Sequence, residues 1–546
     1  MKLKTITTAG MAVAAALGMT GMLSIPSMAA AKGPALELGW GVYSSYTRNF
    51  NPFSTTQMGV TGEMYEPLFY FNDVAPKVEP MLGTSFAWSN HNTVLTVHLR
   101  KNVKWSNGSP FTAHDVVFTF NMLKRFPAMD TSGIWTKVAS VKPAGKLTVI
   151  FTFKKADVPF QWYVLGKTPI VPASIWSKLK GSPLKFLNPN PVISGPYLLH
   201  TFNSQDVTLV PNPKYWGGRP QVPQLNVPLF TSNTAQEPAM ASGKIAWGAY
   251  FESNIQKLYV AADPKYNHYW LPPAGPVVIY PNLTNPLLAK LPVRQAISDA
   301  LNRPKLNRLA ESGYEPPANP TLLAPRNANQ RAWIDHHLPP SDLKYQYNPK
   351  KSIQILTKAG FKRNKAGIFV SPAGKPLSFT LTVISGLTDW DAQASIIASE
   401  LKAVGINASV NLVTGSQAYS SELSGKFQLM IGGPGAGPTP YTMYQSLFGP
   451  VLTQGNWERW HSPAMNKLLN AFSITNNRAK EQQLANKMES LAAKNMPVIG
   501  LTESVWWYEW SNKNYVGWPT PSNPYAAGSS YDYPVAALIL SHLRLR

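Results

Sequence analysis

Residues 94–120 constrain the fold more tightly than any other part of this chain. Residues 94–99, VLTVHL, alternate in the period of two that suits a half-buried strand. Asn107-Gly108 follows, a pair in which both residues tolerate positive φ and so mark a tight turn, and Ser109-Pro110 closes it. Thr112 is then placed as a helix N-cap, with Asp115 three residues later near the first free amides. Val116, Val117 and Phe120 continue the apolar face of that helix. The segment reads as strand, turn and capped helix, and by itself this pattern carries no chemistry.

The same stretch also carries a resemblance. Leu99, Arg100, Val103, Trp105, Gly108, Pro110, Phe111, Thr112, Ala113, Asp115 and Val116 fill a pattern similar to the signature of the family 5 extracellular solute-binding proteins. These are the large receptors of bacterial ABC importers for oligopeptides, dipeptides, nickel complexes and some oligosaccharides. Tyr65-Glu66 with Leu68, Ser194-Gly195-Pro196-Tyr197, and Asn212-Pro213 with Tyr215-Trp216 resemble further segments of that family. So do residues 293–303, VRQAISDALNR, with Asn302 where the family usually has Asp. Tyr280 and Asn282 open a stretch where the family has a strand with a backbone-binding Asn. The resemblance runs from about Leu36 to the end of the chain. It implies an α/β fold of the periplasmic binding protein type (cluster C, type II-like), with two lobes, a cleft, a hinge and an inserted subdomain. Residues 32–70, 195–285 and 500–546 are expected to form the first lobe, 71–194 its inserted subdomain, and 286–499 the second lobe.

At 546 residues and 60.0 kDa the chain is too long for one modest core, which agrees with two lobes. Aromatics make up 11% and hydrophobics 44%, a globular composition, and 17 tryptophans exceed what core filling alone requires. The absence of cysteine excludes structural disulfides, lipobox acylation and thiol chemistry. The histidines are scattered and HExxH is absent, so neither a metal nor a cofactor is expected. No nucleophile elbow, P-loop or dinucleotide fingerprint is present, so no catalytic residue is nominated and the chain is read as a non-enzyme. Asp389 and Asp391 form a local acidic pair, which a helix start explains by capping.

The formal charge is +23, from 50 basic against 27 acidic residues. The bases are spread evenly, with no concentrated run interleaved with aromatics, which argues against nucleic-acid binding. The remaining explanations are proximity to an anionic envelope surface, or work in acid, where few carboxylates leave few groups whose protonation costs stability.

Lys2 and Lys4, the apolar run over 9–23 and the small residues Ser27, Ala29, Ala30 and Ala31 read as a signal peptide, cleaved after Ala29 or Ala31. The expected location is extracytoplasmic, in a periplasm or at the outer face of the cell membrane, without a lipid anchor because there is no cysteine.

Residues 432–441, GGPGAGPTPY, depart from the family pattern. In peptide-binding members the corresponding loop often carries an Asp that pairs with the peptide's amino terminus. Here no acid lies between Phe427 and Gln454. A buried ammonium without a counter-charge is expensive, so the usual peptide anchor is missing. The loop resembles oligosaccharide-binding relatives more closely. The resemblance implies a monomeric receptor that passes an oligopeptide or related oligomeric solute to the transmembrane subunits of an ABC permease. An oligosaccharide is the alternative ligand. An exported glycan-acting enzyme or a non-transport surface protein is a remote alternative. Tyr46, Trp390, Tyr441, Trp457, Trp506 and Trp507 are the expected cleft contacts, because aromatic faces supply apolar area and stacking. Trp105 and Trp216 sit in signature turns and are assigned to the scaffold.

Overall fold

The computed structural model describes residues 33–41, 45–54, 56–450 and 455–546. The expected signal peptide over 1–31 lies outside the described residues. The strand Val94–Leu99 sits inside a four-stranded antiparallel sheet, between Gly83–Ser89 and Thr148–Phe153, with Val138–Pro143 at the far edge. Its alternation is realised as burial, since Leu95 and Val97 are fully enclosed. Only Gly108 of the turn pair takes positive φ, at 91°. Asn107 contributes its side chain, which accepts from the Ser109 N–H at 3.0 Å. Thr112 caps the helix Ala113–Arg125. Its hydroxyl accepts from the His114 N–H at 3.2 Å, and the Asp115 carboxylate accepts from the Thr112 N–H at 2.9 Å. Phe120 then meets Phe151 of the sheet edge-on, with centroids 4.9 Å apart.

This inserted unit does not stand apart from the first lobe. A single core runs from Leu36 through Leu95, Phe120 and Phe151 to Leu543, joining it to the sheet Leu36–Glu37, Leu225–Pro228, Asp206–Pro211 and Tyr197–Phe202. The joint is polar and is built from three of the signature segments. Buried Glu66 accepts from the Tyr215 hydroxyl at 3.0 Å and from Trp216 Nε1 at 2.9 Å. The Arg100 guanidinium lies 3.8 Å from the centroid of the Trp216 ring, a cation–π contact. Trp105 is only 1% exposed. Both signature tryptophans are therefore scaffold, as expected.

The second lobe is organised on a five-stranded sheet in the order Asn407–Val413, Ser378–Ile384, Leu429–Gly432, Pro273–Pro281, Ile499–Val505. The first three strands are parallel and the last two join antiparallel. The central strand Leu429–Gly432 is buried on both faces and reads as a continuous apolar run, whereas Ser378–Ile384 alternates and the edge strand Asn407–Val413 is largely exposed. Val277, Ile279 and Ile431 enter the core shared with the helices Leu291–Ala300 and Thr388–Ala403. Val278, Tyr280 and Met430 point the other way, into a core shared with Pro440–Phe448, Pro463–Ser473 and Arg478–Asn495. Strands Pro273–Pro281 and Ile499–Val505 belong to this sheet, so the first crossing lies earlier than residue 285 and the second later than residue 500. At the crossings the two chain segments touch, the Trp506 N–H donating to the Pro272 carbonyl at 2.8 Å. Away from them the lobes meet again, where Asn327 Nδ2 donates to the Asp73 carbonyl at 3.1 Å and Asn329 Nδ2 to the Asn72 carbonyl at 2.9 Å.

Candidate functional site

A cavity of about 790 Å³ lies between the lobes. The first lobe supplies Thr231 and the turn around residues 52–57. Asn51 fixes that turn by donating to the Pro183 and Phe186 carbonyls, each at 2.9 Å. The inserted subdomain supplies Met129, Asp130, Thr131 and Ser132, and further along Lys167, Thr168 and Pro169.

The second lobe supplies Ile384 and Ser385, Thr414 to Ser416, and Tyr419. These residues stand at the carboxyl ends of the parallel strands Ser378–Ile384 and Asn407–Val413, the edge at which open α/β sheets bind ligands. Helix Gly415–Ser424 starts here from a capping box, with the Thr414 hydroxyl accepting from the Gln417 N–H at 3.3 Å.

The wall is rich in Ser and Thr hydroxyls and poor in charge. Asp130 is its only acid among the described residues. Its two oxygens accept from the Ile134 N–H at 2.7 Å and the Trp135 N–H at 2.9 Å. Burial raises its pKa, and those backbone N–H groups oppose the rise. Lys167 is the only base on the wall among the described residues.

None of the six expected aromatic contacts lines this cavity. Tyr46 is 4% exposed in the first-lobe core, and its hydroxyl donates to the Pro228 carbonyl at 3.1 Å. Tyr441 is 2% exposed and stacks on Phe472 at 5.3 Å, with its hydroxyl toward Asp157 of the inserted subdomain. Trp507 is buried edge-on against Phe251 at 5.2 Å. These three rings are buried among core neighbours and stand off this cavity. Trp390 and Trp506 are half-buried, Trp390 against the second-lobe core and Trp506 tilted over Tyr531 at 6.1 Å.

Trp457 stands one shell back, edge-on to Tyr419 at 6.3 Å. Tyr419 and Phe53 are the aromatic wall residues that sequence reasoning missed, and only Tyr419 had a local signal. The signal available was Thr414-x-x-Gln417, a capping box directly after a strand. The acid-free loop is held away from the cavity. Gly275 lies so close to it that a Cβ there would sit 2.1 Å from the Pro434 carbonyl oxygen, and Gln330 Nε2 donates to the Ala436 carbonyl at 3.1 Å. Asn282 Nδ2 donates to the chain's own Gly425 and Phe427 carbonyls at 2.8 and 2.9 Å.

Among the described residues, no helix is long and apolar enough to cross a membrane. The family model of the bacterial extracellular solute-binding proteins, family 5 Middle, matches residues 77–454. A Brucella ovis protein assigned as an ABC transporter peptide-binding protein is 27% identical over 469 residues, covering 82% of this chain and 83% of that one. A periplasmic oligopeptide-binding protein of an oligopeptide ABC transporter from Thermotoga maritima, solved with bound mannohexaose, superposes with a TM-score of 0.85 at 27% identity. That comparison covers 94% of this chain and 98% of the other. The oligopeptide-binding protein AppA from Bacillus subtilis, solved with a nonapeptide, has a TM-score of 0.80 at 22% identity over 95% of this chain and 100% of its own, a likeness of fold. The match spans the inserted subdomain and most of the second lobe, the two parts that face each other across the cavity, and the chain belongs to the bacterial extracellular solute-binding proteins, family 5.

Proposed function

We propose that this chain is the substrate-binding receptor of an ABC-type importer, which captures an oligopeptide or related oligomeric solute outside the cytoplasm and delivers it to transmembrane permease subunits. The observation that carries this reading is the construction of the cavity. Its walls come from the first lobe, the inserted subdomain and the second lobe, so a solute held there bridges all three. Lobe closure over the solute then changes the surface presented to a permease. A volume of about 790 Å³ lies within the usual range of ligand pockets. The receptor acts as a monomer after loss of its leader, and Tyr419, backed by Trp457, offers the solute a stacking face.

A second reading, an oligosaccharide ligand, is favoured by the wall itself. Its hydroxyls suit a neutral polyol, and its one acid is already occupied by backbone N–H groups. The mannohexaose held by the Thermotoga relative supports the same reading.

Calorimetry and tryptophan fluorescence against short peptides and cello-, xylo- and manno-oligosaccharides, from pH 3 to pH 7, test both readings. Micromolar binding of peptides supports the first reading. Sugar binding without a peptide response supports the second. If neither class binds and scattering shows no closing motion, the receptor reading fails.

A further inference from the structure

The two ionisable side chains on the cavity wall are not equivalent. Both oxygens of Asp130 already accept from backbone N–H groups, so its charge serves the start of the helix Ile134–Lys137. Lys167 has donors to spare. Its ammonium gives one hydrogen bond, to the Tyr533 carbonyl at 3.2 Å, and lies 5.1 Å from the centroid of the Trp162 ring. Asp532 Oδ1 is 3.9 Å away, beyond hydrogen-bonding distance. An ammonium carries three donors, so two remain, on a residue that lines the cavity and whose side chain is 27% exposed.

The nominal counter-ion is also a weak one. Asp532 lies beside Asp73, a second enclosed carboxyl. Burial raises the pKa of both, and the charge of Asp73 raises that of Asp532 further, while Lys167 opposes the rise in each. A solute that enters strips water from Lys167. A neutral solute leaves that cation with only the Asp73–Asp532 pair for compensation, whereas a carboxylate meets its free donors with charge-assisted hydrogen bonds.

We infer that Lys167 receives a carboxylate of the solute, so that the receptor selects oligomers bearing an acidic group, supplied by a peptide carboxyl terminus or by a uronic acid. The inference rests on the receptor reading above and narrows it.

The test uses two matched pairs of probes on the mature chain at pH 6. One pair is N-acetyl-pentaalanine as the free acid and as the amide. The other is a trimannuronate and mannotriose. In at least one pair the acid form binds the wild type roughly tenfold more tightly, the scale of one charge-assisted hydrogen bond. Lys167→Met brings that ratio close to one, while Lys167→Arg retains the preference. Lys167→Gln replaces the Met variant if that variant melts early.

The responding pair identifies the source of the carboxylate. Equal binding of acid and neutral forms by the wild type, or a preference that survives in both Lys167→Met and Lys167→Gln, overturns the assignment and leaves the receptor reading in place. Failure of all four probes overturns the assignment and counts against the receptor reading as well.

Discussion

Glu66→Gln isolates one buried carboxyl and gives its effect a sign and a size. Glu66 is fully buried at the joint between the inserted subdomain and the first lobe, where it accepts from Tyr215 and Trp216. Burial lifts its pKa from 4.5 to about 7, against the opposing pull of those hydrogen bonds and of Arg100. The folded state therefore holds this proton more tightly than the unfolded chain does. The resulting stability is fully present below about pH 4.5 and is lost as the pH rises through the folded pKa near 7. At ~1.4 kcal/mol per pH unit, the move from 4.5 to about 7 corresponds to about 3 kcal/mol lost between acid and mildly alkaline solution. Glutamine keeps a carbonyl acceptor for Tyr215 and Trp216 but does not titrate. Urea unfolding followed by tryptophan fluorescence at pH 4, 5.5, 7 and 8, for wild type and variant, measures the difference. Carboxyls common to both proteins cancel, so the variant gains on the wild type by about 3 kcal/mol from pH 4 to pH 8. Parallel curves, with a difference constant to within about 0.5 kcal/mol, refute the reasoning.

Other buried carboxyls act with the same sign. Burial raises Glu63, Glu315 and Glu489 to about 8 and Asp389 to about 7, so the urea midpoint of the wild type rises as the pH falls from 8 toward 5. A midpoint that falls over that range contradicts this and removes the argument for work in acid. At the capped helix, Thr112→Ala costs about 1 kcal/mol. Asp115→Ala costs more, about 2–3 kcal/mol, because buried Asp115 accepts from both the Thr112 N–H and the Ala173 N–H, the latter at 3.0 Å. Denaturant unfolding of the two variants checks the order. The tyrosines separate binding from packing. Tyr419→Ala weakens solute binding and costs under about 1 kcal/mol of stability, whereas Tyr441→Ala, which empties a core position, costs about 3–5 kcal/mol. Unfolding and calorimetry on the same samples show whether the two effects divide in this way.

The capped turn of residues 105–115 was legible in the sequence because each of its causes is local. A glycine supplies positive φ, an Asn and a Thr offer side-chain oxygens to nearby N–H groups, and an acid stands three residues into the helix. The helix Arg478–Asn495 starts for the same local reason, with the Asn477 side chain accepting from the Lys480 N–H as its cap. The signature segments marked the scaffold, but that Glu66, Arg100 and Trp216 form one joint became visible only after residues far apart in the chain had been brought together. Which lobe the strands Pro273–Pro281 and Ile499–Val505 serve depends on which edge they pair with, and pairing is non-local.

The aromatics show the same limit most plainly. Tyr46, Tyr441 and Trp507 have the composition of a stacking surface, but whether a ring faces a cleft or a core depends on what packs over it, and here cores do. Lys167 is one of many bases in the sequence. It becomes distinctive only where Tyr533, 366 residues further along the chain, accepts a single bond from its ammonium at the wall of the cavity between the lobes. The sequence by itself determined the local conformations, because turn chemistry, capping and side-chain periodicity act over a few residues, and its signature segments carried the resemblance to the family. The tertiary structure decided which side chains reach the solute, because burial and charge compensation are set by neighbours that only the folded chain supplies.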